Sequence, residues 1–433
     1  MRKRPQPILD TQERVPPDVT NRANWVYNLV KATGMTPEGI AMTSHRNTRR
    51  EFMRDGLAGA GALAMANALP IGAAAASRAY EGPNVILVRF GGGVRPQDVI
   101  DPAKTYAPYF CHEFVKRGTL YPNMEISQLE GIETSHGQGT LYLLTGKYER
   151  YKDVGGRFLG QRFEAPVPTI FEYFRKMYDV PEHQALIVNG EDRTDEEFYA
   201  FSNHHLFGVE YRSNVLSLYR FKTFLLRRQI NAGAFQGNEL KKQQKELAKL
   251  EELDYRVHHD LRGQSDEIEA FWERWRQYYG DTGFVNPRGD RLLTELSLRA
   301  LKELRPKLLM INYNDPDYVH WGNASHYTRG ISVIDQGLRQ LVDAVEADEE
   351  YRDNTVFVVV PDCGRDTSPM ASVPFQHHFH AHSIFAAVMG TGVARGQIVD
   401  KLSDQISVAG TIGYVMGLDT PFTEGPVLQE AIA

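Results

Sequence analysis

The sequence predicts an α/β protein of three layers, helices on both sides of a mostly parallel central sheet, with a helical hairpin inserted. Three observations predict it. Two short apolar runs, Leu308–Tyr313 and Thr355–Val360, are separated by a long amphipathic segment. Short apolar runs alternating with a helical pattern are parallel strands joined by a crossover helix. Each run ends in polar residues, Asn314-Asp-Pro-Asp317-Tyr-Val-His320 after the first and Pro361-Asp362-Cys363-Gly-Arg365 after the second. Ligands of open parallel sheets collect beyond the carboxyl ends of the strands, where Asp317, His320 and Asp362 fall.

The remaining elements follow in chain order. Asn84–Phe90 is a buried first strand, ended by Gly91–Gly93. A helix is expected over Tyr106–Arg117, then a polar loop over residues 133–140 opening a short apolar helix that Gly146 stops. Pro168–Tyr178 has a helical pattern and Ala185–Val188 that of a strand, while Asn203–Tyr211 fits either. Between residues 238 and 280, Leu247, Leu250, Leu253, Val257 and Leu261 recur at helical spacing, as do Ile268, Phe271, Trp272, Trp275 and Tyr279. Two helices with one apolar face each make an αα-hairpin, an insertion packed on the sheet. His258 and His259 on it are solvated or capping residues. A helix over Asp290–Leu304, a strand over Ser383–Met389 and a helix over residues 404–416 complete the pattern.

The 433 residues carry 49 basic and 55 acidic side chains, a net charge of −6. No basic block marks nucleic acid as a partner. Two cysteines, Cys111 and Cys363, are too few for a disulfide framework. Near the N-terminus, Arg49-Arg50 is followed by Phe52 and then by uncharged residues from Gly56 to Ser77, with Ala74–Ala76 as a small-residue cleavage pattern. This resembles a twin-arginine export signal. A membrane anchor is the alternative, but the Ala/Gly richness and Pro70 make a poor permanent span. The domain plan is therefore an extension or mis-assigned start over 1–41, a signal-like segment over 42–79, and one domain over 80–433 with its insertion at 238–280. The expected location is the periplasm or another exported site, with no stable span after signal removal.

At this point the chain resembles the alkaline phosphatase/sulfatase/nucleotide pyrophosphatase superfamily, most of all its uncharacterised Tat-exported bacterial members. The first strand, the Thr145-Gly146-ended helix after a Ser/Thr loop, Asp315-Pro-Asp317-x-x-His320 and Asp362-x-Gly occur in the superfamily's order. The resemblance covers roughly residues 84–150 and 285–417. It implies a metal-dependent hydrolase of phosphate or sulfate esters acting on a small anionic substrate. Asp317 and His320 would hold a first metal, completed by His377 or His378. A second site is reduced, because Gly91–Gly93 offer no carboxylate and Cys363 stands where a histidine is usual, leaving Asp362, with Asp98 as a residue that could reach back. Cys363 is either a thiolate ligand or a small buried thiol. The nucleophile position falls on His136, with Ser135 and Thr134 adjacent. Arg365 would clamp an oxyanion, and Gly91–Gly93 with Arg95 form either a backbone anion cradle or a strand-ending turn. Zinc is the foremost ion, with manganese, calcium and iron as alternatives. The competing expectation is a catalytically inactive member that binds a ligand or, through the helical insertion, a protein partner.

Exported protein should begin near Tyr80. N-terminal sequencing of periplasmic material tests this, and an intact N-terminus there would contradict it.

Overall fold

The computed structural model describes residues 79–132, 134–149, 165–190, 199–252, 265–285, 289–321, 324–365 and 381–433. The signal-like segment up to residue 78, Leu253, Val257, His258, His259, Leu261, His377 and His378 lie outside the described residues. Among the described residues nine strands form one sheet: β1 Asn84–Arg89, β2 Gly118–Glu125, β3 Ala185–Val188, β4 Asn214–Leu216, β5 Leu308–Asn312, β6 Thr355–Val360, β7 Ser383–Gly390, β8 Gln397–Ile398 and β9 Ser403–Asp404. Their order is β4-β3-β5-β1-β6-β7-β2-β8, with β9 beside β2. The pairs from β4 through β6 are parallel, whereas β7 runs antiparallel to both β6 and β2.

β1 occupies the middle, in register with β5 and β6, so Arg89 lies abreast of Asn312 and Val360 at the carboxyl edge. Side chains alternate between the two faces, as the strand pleat requires. Ile86, Val88, Leu309, Ile311 and Val359 enter one core, with the helices α3 Leu218–Asn231, α5 Asp266–Tyr279, α6 Asp290–Glu303 and α7 Ala324–Ala347. Val85, Leu87, Met310, Val356 and Val358 enter the other, with α1 His136–Thr145, α2 Ile170–Tyr178 and α8 Ser407–Val415. Strands buried on both faces are why these runs are continuously apolar.

The differences from expectation have local causes. Tyr106–Arg117 is not one α-helix: a π-turn over Phe110–Phe114 passes into a 3₁₀ turn over Val115–Arg117. The buried carboxylate of Asp335 accepts the amides of Tyr109 (3.0 Å) and Phe110 (2.8 Å), tying that irregular start to α7. β2 went unrecognised because Pro122 interrupts it, and its pairing with β7 shifts register between Tyr121 and Met124. α1 starts at His136 rather than after residue 140, because Ser135 caps it by accepting the Gln138 amide at 3.2 Å. β4 and α3 were not foreseen. The second insertion helix, α5, buries Ile268, Phe271, Trp272 and Trp275 in the same core as the sheet. The first, α4 Gly237–Glu252, packs on α3, where the Tyr219 hydroxyl donates to the Leu250 carbonyl at 2.9 Å. Among the described residues, no helix is long and apolar enough to cross a membrane.

α2 is anchored by a buried carboxyl. Glu172 accepts the amides of Thr169 (2.8 Å) and Gly208 (2.9 Å) and the Ser202 hydroxyl (2.7 Å). Burial outweighs these bonds and lifts its pKa from 4.5 to about 7. A carboxyl whose folded pKa is raised stabilises the fold below its unfolded pKa and loses that contribution as pH rises through the folded one. Unfolding free energy should therefore fall between pH 4.5 and about 7. The drop is on the order of 3 kcal/mol. Urea titrations across that range should show this component in the wild type and not in Glu172→Gln, and an unchanged slope would refute it.

Candidate functional site

The carboxyl edge of the sheet gathers charge that the strands alone do not explain. β1 is apolar from Val85 to Val88 and ends on Arg89, whose side chain is wholly buried. Its Nη1 donates to the Thr140 hydroxyl at 2.8 Å and lies 3.5 Å from Oδ2 of Asp362. Pro361 ends β6, so Asp362 and Cys363 leave the ladder and turn beneath the first turn of α1. Their contact with α1 depends on Gly139: a Cβ there would meet the Asp362 carbonyl oxygen at 1.8 Å. The Asp362 carboxylate accepts the Cys363 amide (2.8 Å), and Gln405 donates to the Asp362 carbonyl (2.9 Å).

His136 projects from the first position of α1 into this corner. Its Nδ1 lies 2.7 Å from Asp362 Oδ2 and 3.7 Å from Cys363 Sγ, and its Nε2 lies 3.1 Å from Asp317 Oδ1. An imidazole with a carboxylate at each nitrogen donates from both, which is the imidazolium form. Burial alone would lower the His136 pKa, but the Asp362 charge foremost, with Cys363 and Asp317, holds it well above the ordinary range. Burial would raise the Asp362 pKa, and the charges of His136 and Arg89 instead drive it far down.

Asp317 reaches His136 from a 3₁₀ turn, Asp315–Trp321, that follows β5. That turn is pressed against the glycines after β1. Gly92 has φ +82°, and a Cβ there would sit 2.6 Å from the Asp317 amide nitrogen. Arg365 closes the corner, fully buried: Nε donates to the Gly93 carbonyl (2.7 Å), and Nη2 to the Gly92 carbonyl and to Asp317 (3.1 Å). His320 Nε2 lies 3.2 Å from Asp317 Oδ1 and 3.3 Å from Arg365 Nη1.

Several expectations need correction on this geometry. The glycine loop turns carbonyls toward a guanidinium, so it cradles a cation and not an anion. Arg365, expected as an oxyanion clamp, is spent on that loop and on Asp317. Asp98 does not reach back, since it pairs with Arg95 and accepts the Tyr327 hydroxyl at 2.9 Å. Ser135 serves as a helix cap, and Thr134 beside it is half-buried. Asp317 and His320 do meet, but among the described residues the convergent ligand atoms belong to His136, Asp362 and Cys363, all within 4.8 Å of one another. That nitrogen, oxygen and sulfur set suits zinc better than calcium or magnesium. Asp317 on the far nitrogen is the partner that orients a metal-binding imidazole. The residues thus fit one such ion, which the Nδ1 of His136 would hold once deprotonated, beside Asp362 and Cys363. Arg89 was missed, although an arginine closing an otherwise apolar strand was a visible signal.

No protein-family model and no curated protein sequence matches the chain. Among solved structures it is similar to a protein of the alkaline phosphatase superfamily from Vibrio parahaemolyticus, at TM-score 0.50 and 12% identity, covering 82% of this chain and 72% of that one. It is equally similar to a sulfatase-like protein from Bacteroides thetaiotaomicron, at TM-score 0.50 and 12% identity, covering 80% and 74%. The chain has the α/β fold of these two structures, a mixed, mostly parallel sheet between helices.

Removing Arg365 should expose how much the corner depends on it. Arg365→Ala leaves the buried Asp317 carboxylate without its guanidinium and strands two carbonyls, a loss of roughly 3–5 kcal/mol. Chemical denaturation measures this, and a loss below about 1 kcal/mol, the scale of an exposed pair, would show the contacts to be dispensable.

Proposed function

We propose that this chain hydrolyses sulfate or phosphate esters with a single divalent ion, zinc foremost, held by His136, Asp362 and Cys363. The observation that supports it is the convergence of those three donors at the carboxyl edge, with Asp317 behind the imidazole. When bound, such an ion lowers the pKa of a water and polarises an ester oxygen. The chain's own residues do the rest. Asp317 accepts the Nε2 proton and so presents Nδ1 as a ligand. Arg89 offsets the charge of Asp362, and Arg365 fixes Asp317 against the glycine loop. Of the three donors His136 faces solvent, its side chain 15% exposed against 0% for Asp362, so substrate approaches from its side. The Ser135 hydroxyl is occupied as a cap, and among the described residues no base is bonded to it. A hydroxyl without a base is a weak nucleophile at neutral pH, so water is the attacking group. Export by the twin-arginine route, which carries folded protein, suits a chain that takes up its ion first.

One observation favours the inactive alternative. Arg89 and Arg365 already stand against Asp362 and Asp317, so both carboxylates are balanced without an ion. A binding protein that keeps the fold is the second reading.

Elemental analysis separates the two. After loading with zinc, manganese or iron, wild type should retain one equivalent of ion, His136→Ala and Cys363→Ser should lose it, and Asp317→Ala should bind it about 10–100-fold more weakly. Ser135→Ala should keep its esterase activity. Wild type that retains no ion would leave the binding reading as the correct one.

A further inference from the structure

The opposite face of the Asp315–Trp321 turn borders a second feature that the central cluster does not use. In a 3₁₀ helix, side chains three apart eclipse one another. Asp317 and His320 therefore share the face toward His136, while Asp315 and Tyr318 share another, and these two line a cavity of about 190 Å³. Its other walls carry Arg291 from the first turn of α6, and His326 and Arg329 from the first two turns of α7. Such a volume holds several waters or one small polyatomic ion.

The cations in it are oddly placed. The N-terminal turn of a helix carries partial positive charge and favours carboxylates, so Arg291 in the first turn of α6 works against the local field, and Arg329 adds a second cation one turn into α7. Elsewhere in this chain arginines near carboxylates are paired, as Arg305 is with Asp348 and Glu350. Among the described residues, neither the half-buried Arg291 side chain nor the exposed Arg329 side chain makes an ion pair or hydrogen bond. The one carboxylate in the wall, Asp315, is turned to the Asp290 amide, which its Oδ1 accepts at 3.1 Å. In a protein of net charge −6, this is a local excess of positive charge around a concave space. A local rule broken without a local gain marks a position kept for a ligand.

We propose that this cavity is a binding site for a small tetrahedral oxyanion of the sulfate or phosphate class, held by Arg291 and Arg329 with His326 at the rim. Guanidinium forks match two oxygens of such an ion at once. The site stands apart from the hydrolase reading, because it requires neither the metal nor turnover.

Calorimetric titration of the purified protein with inorganic sulfate and, separately, inorganic phosphate tests it, in chloride buffer of constant ionic strength. Saturable binding with Kd of about 1 mM or tighter is expected for at least one of them. Arg291→Gln and Arg329→Gln should each weaken it about tenfold, the worth of one charge-assisted hydrogen bond. Arg352→Gln, an exposed arginine outside the cavity, should leave it unchanged. Absence of saturable binding to either ion overturns the proposal. So does binding that survives the Arg291/Arg329 double variant, or that is lost in His136→Ala alone, which would put the ion at the central cluster.

Discussion

Two carboxylates, Asp317 and Asp362, are buried within the reach of a single imidazole ring, and the rest of the carboxyl edge is arranged to make that tolerable. Removing an ionised carboxylate from water costs several kcal/mol unless cations and hydrogen bonds replace the lost hydration. Each acid here receives its own guanidinium, Arg89 for one and Arg365 for the other, and His136 spans the gap between them. The close approaches serve the same end. Gly139 lets α1 descend onto Asp362, and Gly92 lets the loop after β1 touch the turn that carries Asp317.

The fold was legible where one face or both faces of an element are uniformly buried. β1, β3, β5 and β6 are short apolar runs with polar ends, and their parallel pairing follows from the crossover pattern. Legibility fails where the chain breaks its own period. Pro122 hides β2, the three-residue β4 is too brief to show alternation, and the π-turn at Phe110 has no sequence rule behind it.

The site was half legible for a related reason. Asp317, His320, Asp362 and Arg365 follow strand ends, so topology alone brings them to one edge. What spacing cannot give is which atoms face each other. The same seven-residue turn sends Asp317 inward and Asp315 outward, and helical start positions decide whether His136 points at a carboxylate or at water. Cys363 stood beside Asp362 in the sequence, yet its role depends on a ring that comes from 227 residues away.

Arg89 has a consequence in engineering terms. It occupies the last position of the central strand, held in register by a neighbour on each side, so its backbone location is fixed by twin ladders rather than by its own charge. The position is therefore an addressable dial. Exchanging its cation for a neutral group of similar length alters the charge parity of the corner and leaves Asp362 to His136 and the Cys363 amide, at a cost in stability. Within a scaffold of this kind, how many external cations a corner accepts is set by the side chain at one strand terminus.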